Sequence, residues 1–426
     1  MTAPILDGRT KGLPAGTDRL DPRTIASRGF NVLREDLPLP LAVLKATSLE
    51  HNARWMRSFL ESAGVAIAPH GKTPMSPELF ARQLADGAWG ITVATVQQLR
   101  VCRDAGVSRV LMANQLIGRQ AVAYVLDELA RDPAFEFHAL VDSVALVDRL
   151  AAAAQARRAG RPLSLLVECG FTGGRTGCRT VDDALAVGRR VAAARPWLTL
   201  SGIEGYEGAV PGATLAERES RIAGFVAFMA EVAGRSVAEG LVDADPILLS
   251  AGGSAYFDLV TALPRIAGGR RAQVILRSGC YLTHDSDRYA VAAARMRERT
   301  PSIAALGEGL RDAIEVWSYV QSRPEPALAI LTMGKRDVAY DIHLPYPRWR
   351  FRPGVDAKPQ PLAGDFAITA LNDQHAYLAL DSGATLEVGD MVGCAISHPC
   401  TTFDKWRFVP IVDDDYRVVD AITTWF

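Results

Sequence analysis

The chain has 426 residues, a formal net charge of −1, 22% charged residues and 49% hydrophobic ones. At ~150 residues per domain this predicts two to three domains, or one large barrel with an appendage, and the composition excludes disorder, collagen and coiled coil. The balanced charge argues against a nucleic-acid binder. No apolar run reaches the ~18 residues of a membrane span, and the N-terminal MTAPILDGRTKGLPAG lacks a signal-peptide core, so a cytoplasmic protein is expected.

The first 35 residues, rich in Gly, Pro, Asp and Arg, predict a surface-lying arm. A strand-like run, Leu39 to Lys45, follows, then a helical pattern from Ser48 to Ala63 with Ser48 as N-cap and Gly64 as stop. Short apolar runs then alternate with alanine- and charge-rich helical stretches. The runs cover 65–70, 89–94, 109–114, 135–142, 163–170, 198–206, 246–253 and 273–281. Continuous apolar runs mark strands buried on both faces, and the alternation makes the sheet parallel. Eight strand–helix units is the number that closes a barrel. An open doubly wound sheet is the competitor, but the Gly-rich dinucleotide turn is missing after the first strand. After about Thr300 proline becomes frequent and short β-like runs replace the helices (IEVWSYVQS, LAILTMG, FAITAL, AYLAL, DMVGCAIS, WRFVPIV, YRVVDAITTWF), with a hairpin turn at DDD, 413–415. The expected architecture is therefore an α/β chain, a (β/α)8 TIM-type barrel over 47–290 with a second, mostly β C-terminal domain over 291–426 that the N-terminal segment 1–46 joins.

Working residues of a βα barrel sit where strands exit. The first strand exits into Pro69-His70-Gly71-Lys72-Thr73, and a lysine there can form an imine with an aldehyde cofactor; by composition alone a solvated surface lysine is the commoner case. The fifth exits through Glu168-Cys169-Gly170 into Thr172-Gly173-Gly174-Arg175-Thr176-Gly177, glycines around one arginine. Later exits read Glu204-Gly205-Tyr206-Glu207-Gly208, Ser250-Ala251-Gly252-Gly253-Ser254 and Arg277-Ser278-Gly279-Cys280-Tyr281. The loops after strands seven and eight are the usual phosphate site of this architecture. Free N–H groups, a hydroxyl and a helix N-terminus there suit an anion. With the lysine they describe pyridoxal phosphate rather than a sugar phosphate. In the β-domain, Ser397-His398-Pro399-Cys400-Thr401-Thr402 places an imidazole and a thiol at i and i+2, one face of an extended strand. That is a two-donor site for a soft metal with open positions; a buried cysteine beside a hydrogen-bonded histidine is the bland alternative. The six cysteines are otherwise scattered with no C-x-x-C pair, so neither a disulfide framework nor a closed zinc knuckle is expected.

Taken together, PHGKT, GGRTG, GIEGYEG, SAGGS, RSGCYLTHD and SHPCTT resemble, in order, the motifs of the D-threonine aldolase and D-serine dehydratase group within the alanine-racemase-like (fold type III) pyridoxal phosphate enzymes. The resemblance runs from about Leu39 to the C-terminus. It implies that Lys72 holds the cofactor as a Schiff base and takes the α-proton. Arg175 would hydrogen-bond the pyridine nitrogen and keep it unprotonated, which restrains side reactions. Tyr206 would line the cofactor face. Ser250, Gly252, Gly253, Ser254, Gly279, Cys280 and Tyr281 would surround the phosphate, and His70 would stand beside the lysine. His398 and Cys400 would hold a zinc ion near the substrate hydroxyl. The sequence departs from the group's pattern at Thr95-Val96-Gln97-Gln98 and at Asn372–Ala376, which bears on substrate choice. The H-x-C spelling is more similar to the dehydratase branch. The resemblance thus implies dehydration of a D-3-hydroxy amino acid, D-serine to pyruvate and ammonia, by a cytoplasmic homodimer. The alternatives are a metal-dependent D-threonine or D-3-hydroxyaspartate aldolase, a racemase, or a pyridoxal phosphate-binding regulatory protein. The β-domain with His398 and Cys400 argues against the last.

Overall fold

The computed structural model describes residues 6–362, 364–381 and 383–426. Strand β1 (Leu41–Lys45) runs directly into helix α1 (Ala46–Ala63). The helix therefore starts two residues before Ser48: its N-cap is Lys45, and Gly64 ends it in the left-handed conformation, φ 61°. There follow β2 (Ala66–Ile67), α2 (Pro77–Ala85), β3 (Ile91–Val93), α3 (Val96–Asp104), β4 (Arg109–Gln115), α4 (Arg119–Arg131), β5 (Glu136–Val141) and α5 (Val144–Ala156). Next come β6 (Leu163–Cys169), α6 (Val181–Ala193), β7 (Leu198–Gly205), α7 (Leu215–Ala238), β8 (Ile247–Ala251), the short α8 (Phe257–Val260), the hairpin β9 (Ile266–Ala267) to β10 (Arg270–Leu276), α9 (Arg288–Arg299) and α10 (Pro301–Ala304).

Among the described residues, eight parallel strands run in the order β2-β10-β8-β7-β6-β5-β4-β3. Gly71 N–H to Thr92 O at 2.7 Å and Thr92 N–H to Pro69 O at 2.9 Å join the last to the first, so the sheet closes. Closure removes both edges. Ala68, Leu111, Leu140, Leu166, Leu248 and Ile275 pack as one cluster drawn from six of the strands or their ends. The stretch Thr95–Gln98 caps α3: Thr95 Oγ1 accepts the Gln98 N–H at 3.2 Å and Gln98 Oε1 accepts the Ala94 N–H at 2.7 Å. These residues are thus engaged in a reciprocal cap.

The second domain contains β11 (Ile314–Glu325), β12 (Leu328–Leu331), β13 (Tyr346–Phe351), β14 (Gln360–Pro361), β15 (Ala367–Leu371), β16 (Ala376–Ala379), β17 (Met391–Ala395), the short helix α11 (Cys400–Phe403), β18 (Phe408–Val412) and β19 (Val418–Thr423). Its main sheet is ordered β14-β13-β17-β11-β1-β18-β19, with β12, β16 and β15 continuing from the far end of β11. Strand β1 lies between β11, antiparallel, and β18, parallel. The arm before β1 is less superficial than its composition suggests, because Leu6, Leu13, Leu20, Ile25, Val32, Leu33 and Leu37 are all buried. Strand β13 is a further departure: YPRWRF, with Pro347 inside it, pairs with β17 through a register shift between Pro347 and Trp349, which accommodates the missing N–H.

The two domains are stitched around the barrel mouth. Asn52 of α1 donates to Leu282 O at 2.9 Å and Arg311 O at 2.6 Å, and accepts from Arg311 N–H at 2.7 Å. Thr423 Oγ1 of β19 donates to Glu78 of α2 at 2.8 Å, and Trp425 N–H to Met75 O at 2.9 Å. This seam brings the loop after β17 over the strand exits.

Candidate active site

A cavity of about 370 Å³ lies at the exits of the barrel strands. Its lining includes Lys72, Arg175, Tyr206, Ser254 and Gly279 from the barrel, and His398 and Cys400 from the β-domain. Lys72 leaves the first strand exit with its side chain exposed to this space. His70 precedes it; its Nδ1 is buried without a partner, and burial followed by the Lys72 charge holds the ring well below its usual pKa, hence neutral.

Arg175 comes from the glycine-rich turn after β6. Arg179 fixes that turn by donating to Thr176 O at 2.6 Å, Gly174 O at 3.0 Å and Arg175 O at 3.1 Å. The Arg175 guanidinium lies 5.0 Å over the Tyr206 ring, which orients both groups. Glu168 at the end of β6 accepts from Thr176 Oγ1 at 2.7 Å and from Gln115. Burial pushes its carboxyl upward against these bonds. Deeper in the barrel Arg277 pairs with Glu204 and donates to Gly205 O at 2.7 Å.

The proposed phosphate loops divide into two groups. Ser254, Gly253, Gly279 and Cys280 line the cavity. Ser250 is buried with its hydroxyl on Ile275 O at 3.1 Å, and Tyr281 is buried at 4% exposure; neither is among the lining residues. The N–H groups of Gly252 and Gly253, expected to be free for an anion, instead donate to the buried Glu207 carboxylate at 2.9 and 2.7 Å. The motif GIEGYEG contained this residue, but a one-dimensional reading assigned it no partner. The following helix, α8, is a single turn. At Gly279 a Cβ would stand 2.6 Å from His70 O and 2.7 Å from Thr73 Oγ1, so only glycine lets this loop approach the lysine loop.

His398 and Cys400 do share the cavity, but not on an extended strand. Strand β17 ends at Ala395, and Pro399, with helical backbone angles, precedes the turn Cys400–Phe403. His398 Nδ1 bonds Asp341 Oδ2 at 2.7 Å, and Thr401 Oγ1 donates to the other Asp341 oxygen at 2.7 Å. A carboxylate on Nδ1 leaves Nε2 as the ring's ligand atom. A hydrogen bond with Cys400 is the largest influence raising His398 to about 9, while contact with Cys280, then His398, draws Cys400 well below the usual thiol range. Asp341 stood too far from His398 in sequence to be noticed. Among the described residues no three His, Cys, Asp or Glu side chains are already grouped to hold a metal.

These residues fit both implied groups. A lysine amine, a stacked arginine–tyrosine pair and a loop pared to glycine suit a pyridine aldehyde phosphate, and the buried Arg277 Nε and His70 Nδ1 are polar atoms with no protein partner. An imidazole oriented through its Nδ1 and a thiol that lines the same cavity are soft donors suited to zinc.

A closed βα barrel joined to a mostly antiparallel β-domain is the alanine-racemase-like fold. Residues 44–254 match the family described as "Alanine racemase, N-terminal domain", and residues 313–412 match "Putative serine dehydratase domain". The chain is 26% identical over 377 residues to a D-threonine aldolase of Arthrobacter sp., covering 88% of this chain and 89% of that protein. Among solved structures it resembles D-threonine aldolase from Filomicrobium marinum (TM-score 0.75, 23% identity, 93% and 97% of the two chains). It also resembles D-threo-3-hydroxyaspartate dehydratase from Delftia sp. HT23 (TM-score 0.69, 20% identity, 93% and 99%), of which a metal-free form of a variant is likewise solved. The chain is thus similar over most of its length to proteins named as aldolases of D-hydroxy amino acids, and its two segments match those two domain families.

Proposed function

We propose that the protein is a pyridoxal phosphate- and zinc-dependent lyase that eliminates water from D-3-hydroxy amino acids, with D-serine as leading substrate. The observation that carries this is the sharing of one cavity by Lys72 and the His398–Cys400 pair, contributed from opposite domains. When bound, the cofactor supplies an electron sink for the pair left at Cα, and zinc a Lewis acid for the β-hydroxyl. Lys72 carries the cofactor and removes the α-proton. Arg175, braced on Tyr206, would hold the pyridine nitrogen of the cofactor through a hydrogen bond. Ser254 and the backbone at Gly279 and Cys280 receive the phosphate; Gly252 and Gly253 serve by holding that loop on Glu207. His398, oriented by Asp341, and Cys400 hold the ion. The β-hydroxyl leaves with a proton as water, and the unsaturated amine released hydrolyses to pyruvate and ammonia. The reading extends to a cytoplasmic homodimer, on family resemblance; among the described residues no helix is long and apolar enough to cross a membrane.

A second reading, retro-aldol cleavage of D-threonine or D-3-hydroxyaspartate, is favoured by the relatives named aldolases. There His398 and Cys400 would hold the same ion, which would supply a Lewis acid for the β-oxygen during Cα–Cβ cleavage. Incubating the protein with D- and L-hydroxy amino acids, with and without zinc, and identifying products by mass separates them. Keto acid and ammonia from D-serine support elimination, and glycine plus an aldehyde establishes cleavage. Neither product from a protein that carries pyridoxal phosphate overturns both.

A further inference from the structure

Cys280 has two parts that point different ways. Its backbone lies in the loop after β10, with the N–H 3.4 Å from Ser254 Oγ on the phosphate side. Its sulfur turns toward the β-domain and stands 3.8 Å from Cys400 Sγ. Thr73 Oγ1 lies 3.7 Å from Cys280 Sγ and 3.4 Å from Cys400 Sγ, so two thiols and a hydroxyl meet where the lysine loop, the last barrel loop and the β-domain converge. Cys280 is 3% exposed and lines the same cavity as His398.

We propose that Cys280 is a third protein ligand of the metal held by His398 and Cys400. The inference rests on the metal reading above and deepens it. Zinc–thiolate bonds of ~2.3 Å at a tetrahedral angle put two sulfurs ~3.8 Å apart. The observed separation matches that span. It is far longer than the ~2.05 Å of a disulfide, so the pair is not covalently joined. A lone thiol–thiol contact at this distance contributes little to stability, and a structural role for the pair would be served as well by any two small apolar side chains.

The third corner comes from His398. Among the described residues no three such donors are already grouped, but His398 lines the same cavity as both thiols, and Asp341 on its Nδ1 at 2.7 Å leaves Nε2 to complete the set. The completed set is two thiolates and one imidazole. In a tetrahedral site such a set would leave one position for the substrate hydroxyl. Two thiolates also balance the dication, which favours zinc over harder ions such as magnesium or manganese.

The test is zinc X-ray absorption on the full-length, cofactor-loaded protein supplied with zinc alone. Two sulfur neighbours at the zinc–thiolate distance are expected in the parent, and one in Cys280→Ser. Chelator competition should show zinc affinity falling at least about tenfold in that variant, while the cofactor absorption band stays in place. One sulfur in the parent overturns the assignment, whether or not the variant folds, and so does unchanged affinity in a folded variant. A parent protein that binds no zinc overturns instead the metal reading on which this rests, so the two failures are distinguishable.

Discussion

Replacing Glu207 with alanine isolates the one buried carboxylate on which the loop after β8 hangs. Its two oxygens accept the Gly252 and Gly253 N–H groups at 2.9 and 2.7 Å, and the side chain has no exposure to water. A hydrogen bond to a charged group contributes about 1.5–3 kcal/mol, and a buried N–H left without a partner costs a comparable amount. Two such bonds put the expected loss at about 3–6 kcal/mol. Glu207→Gln keeps one accepting oxygen and turns its amide N–H toward the other donor, so roughly half that loss or somewhat more is expected. Gly253 also packs on the Tyr206 ring, so a freed loop loosens that wall of the cavity. Urea unfolding of parent and variants, followed by far-ultraviolet circular dichroism, gives the stability change. Pyridoxal phosphate titration of the same proteins gives the change in affinity. A Glu207→Ala protein within about 1 kcal/mol of the parent, with undiminished cofactor affinity, would refute the view that this carboxylate holds the loop.

Other expectations test other joints. Gly279→Ala forces a methyl against His70 O and Thr73 Oγ1; overpacking of this kind costs about 1–3 kcal/mol, and cofactor affinity should fall with it in the same titration. Asp341→Asn weakens the hold on His398 Nδ1. Because the Asp341 side chain is 44% exposed, the loss of zinc affinity should sit near the low end of the 10–100-fold range for such partners, about tenfold by chelator competition; no change means the ring is oriented by something else. Buried His284 has its pKa lowered to about 4, mainly by desolvation, and its Nε2 has no partner. The folded state thus binds its proton less readily than the unfolded chain. The contribution of this histidine is therefore fully present above about pH 6.5 and is lost as pH falls toward 4. His284→Asn, which tolerates the residue's φ of 48°, should flatten the acid side of a stability-versus-pH curve.

The barrel was legible because its strands are buried on both faces and read as uninterrupted apolar runs; every such run contains a strand, even where only Ala66–Ile67 pairs regularly. The β-domain was legible less well. Tyr346–Phe351 was hidden by Pro347 within it and the prolines on either side, which sheets admit only near edges or irregularities, and the seven buried apolar residues before β1 were masked by the glycines and charges between them. At the site, the sequence brought forward residues with distinctive chemistry: Lys72, Arg175, His398 and Cys400. It could not show which partners tie them down. Glu207 on two glycine amides, Asp341 on His398 and Arg277 on Glu204 are pairings made by the fold, and no spacing rule predicts them. The H-x-C geometry was reached for a reason the structure changes: Pro399 starts a helical turn, and that turn rather than a pleat sets the two side chains together.

Strand β1 sits with neighbours on both sides, one from just beyond the barrel and one from near the end of the chain. Topologically the barrel is thus an insertion within the β-domain, entered through β1 and left toward β11. During synthesis the barrel has all its strands while β1 still has none of its partners. The β-domain can close only after β18 emerges. A chain that ends before β11 would therefore present a finished barrel flanked by an apolar strand with two unsatisfied edges, the kind of surface that pairs with other chains. It would also lack the cover that carries His398 and Cys400. Order of emergence and completion of the cavity are in this way the same event.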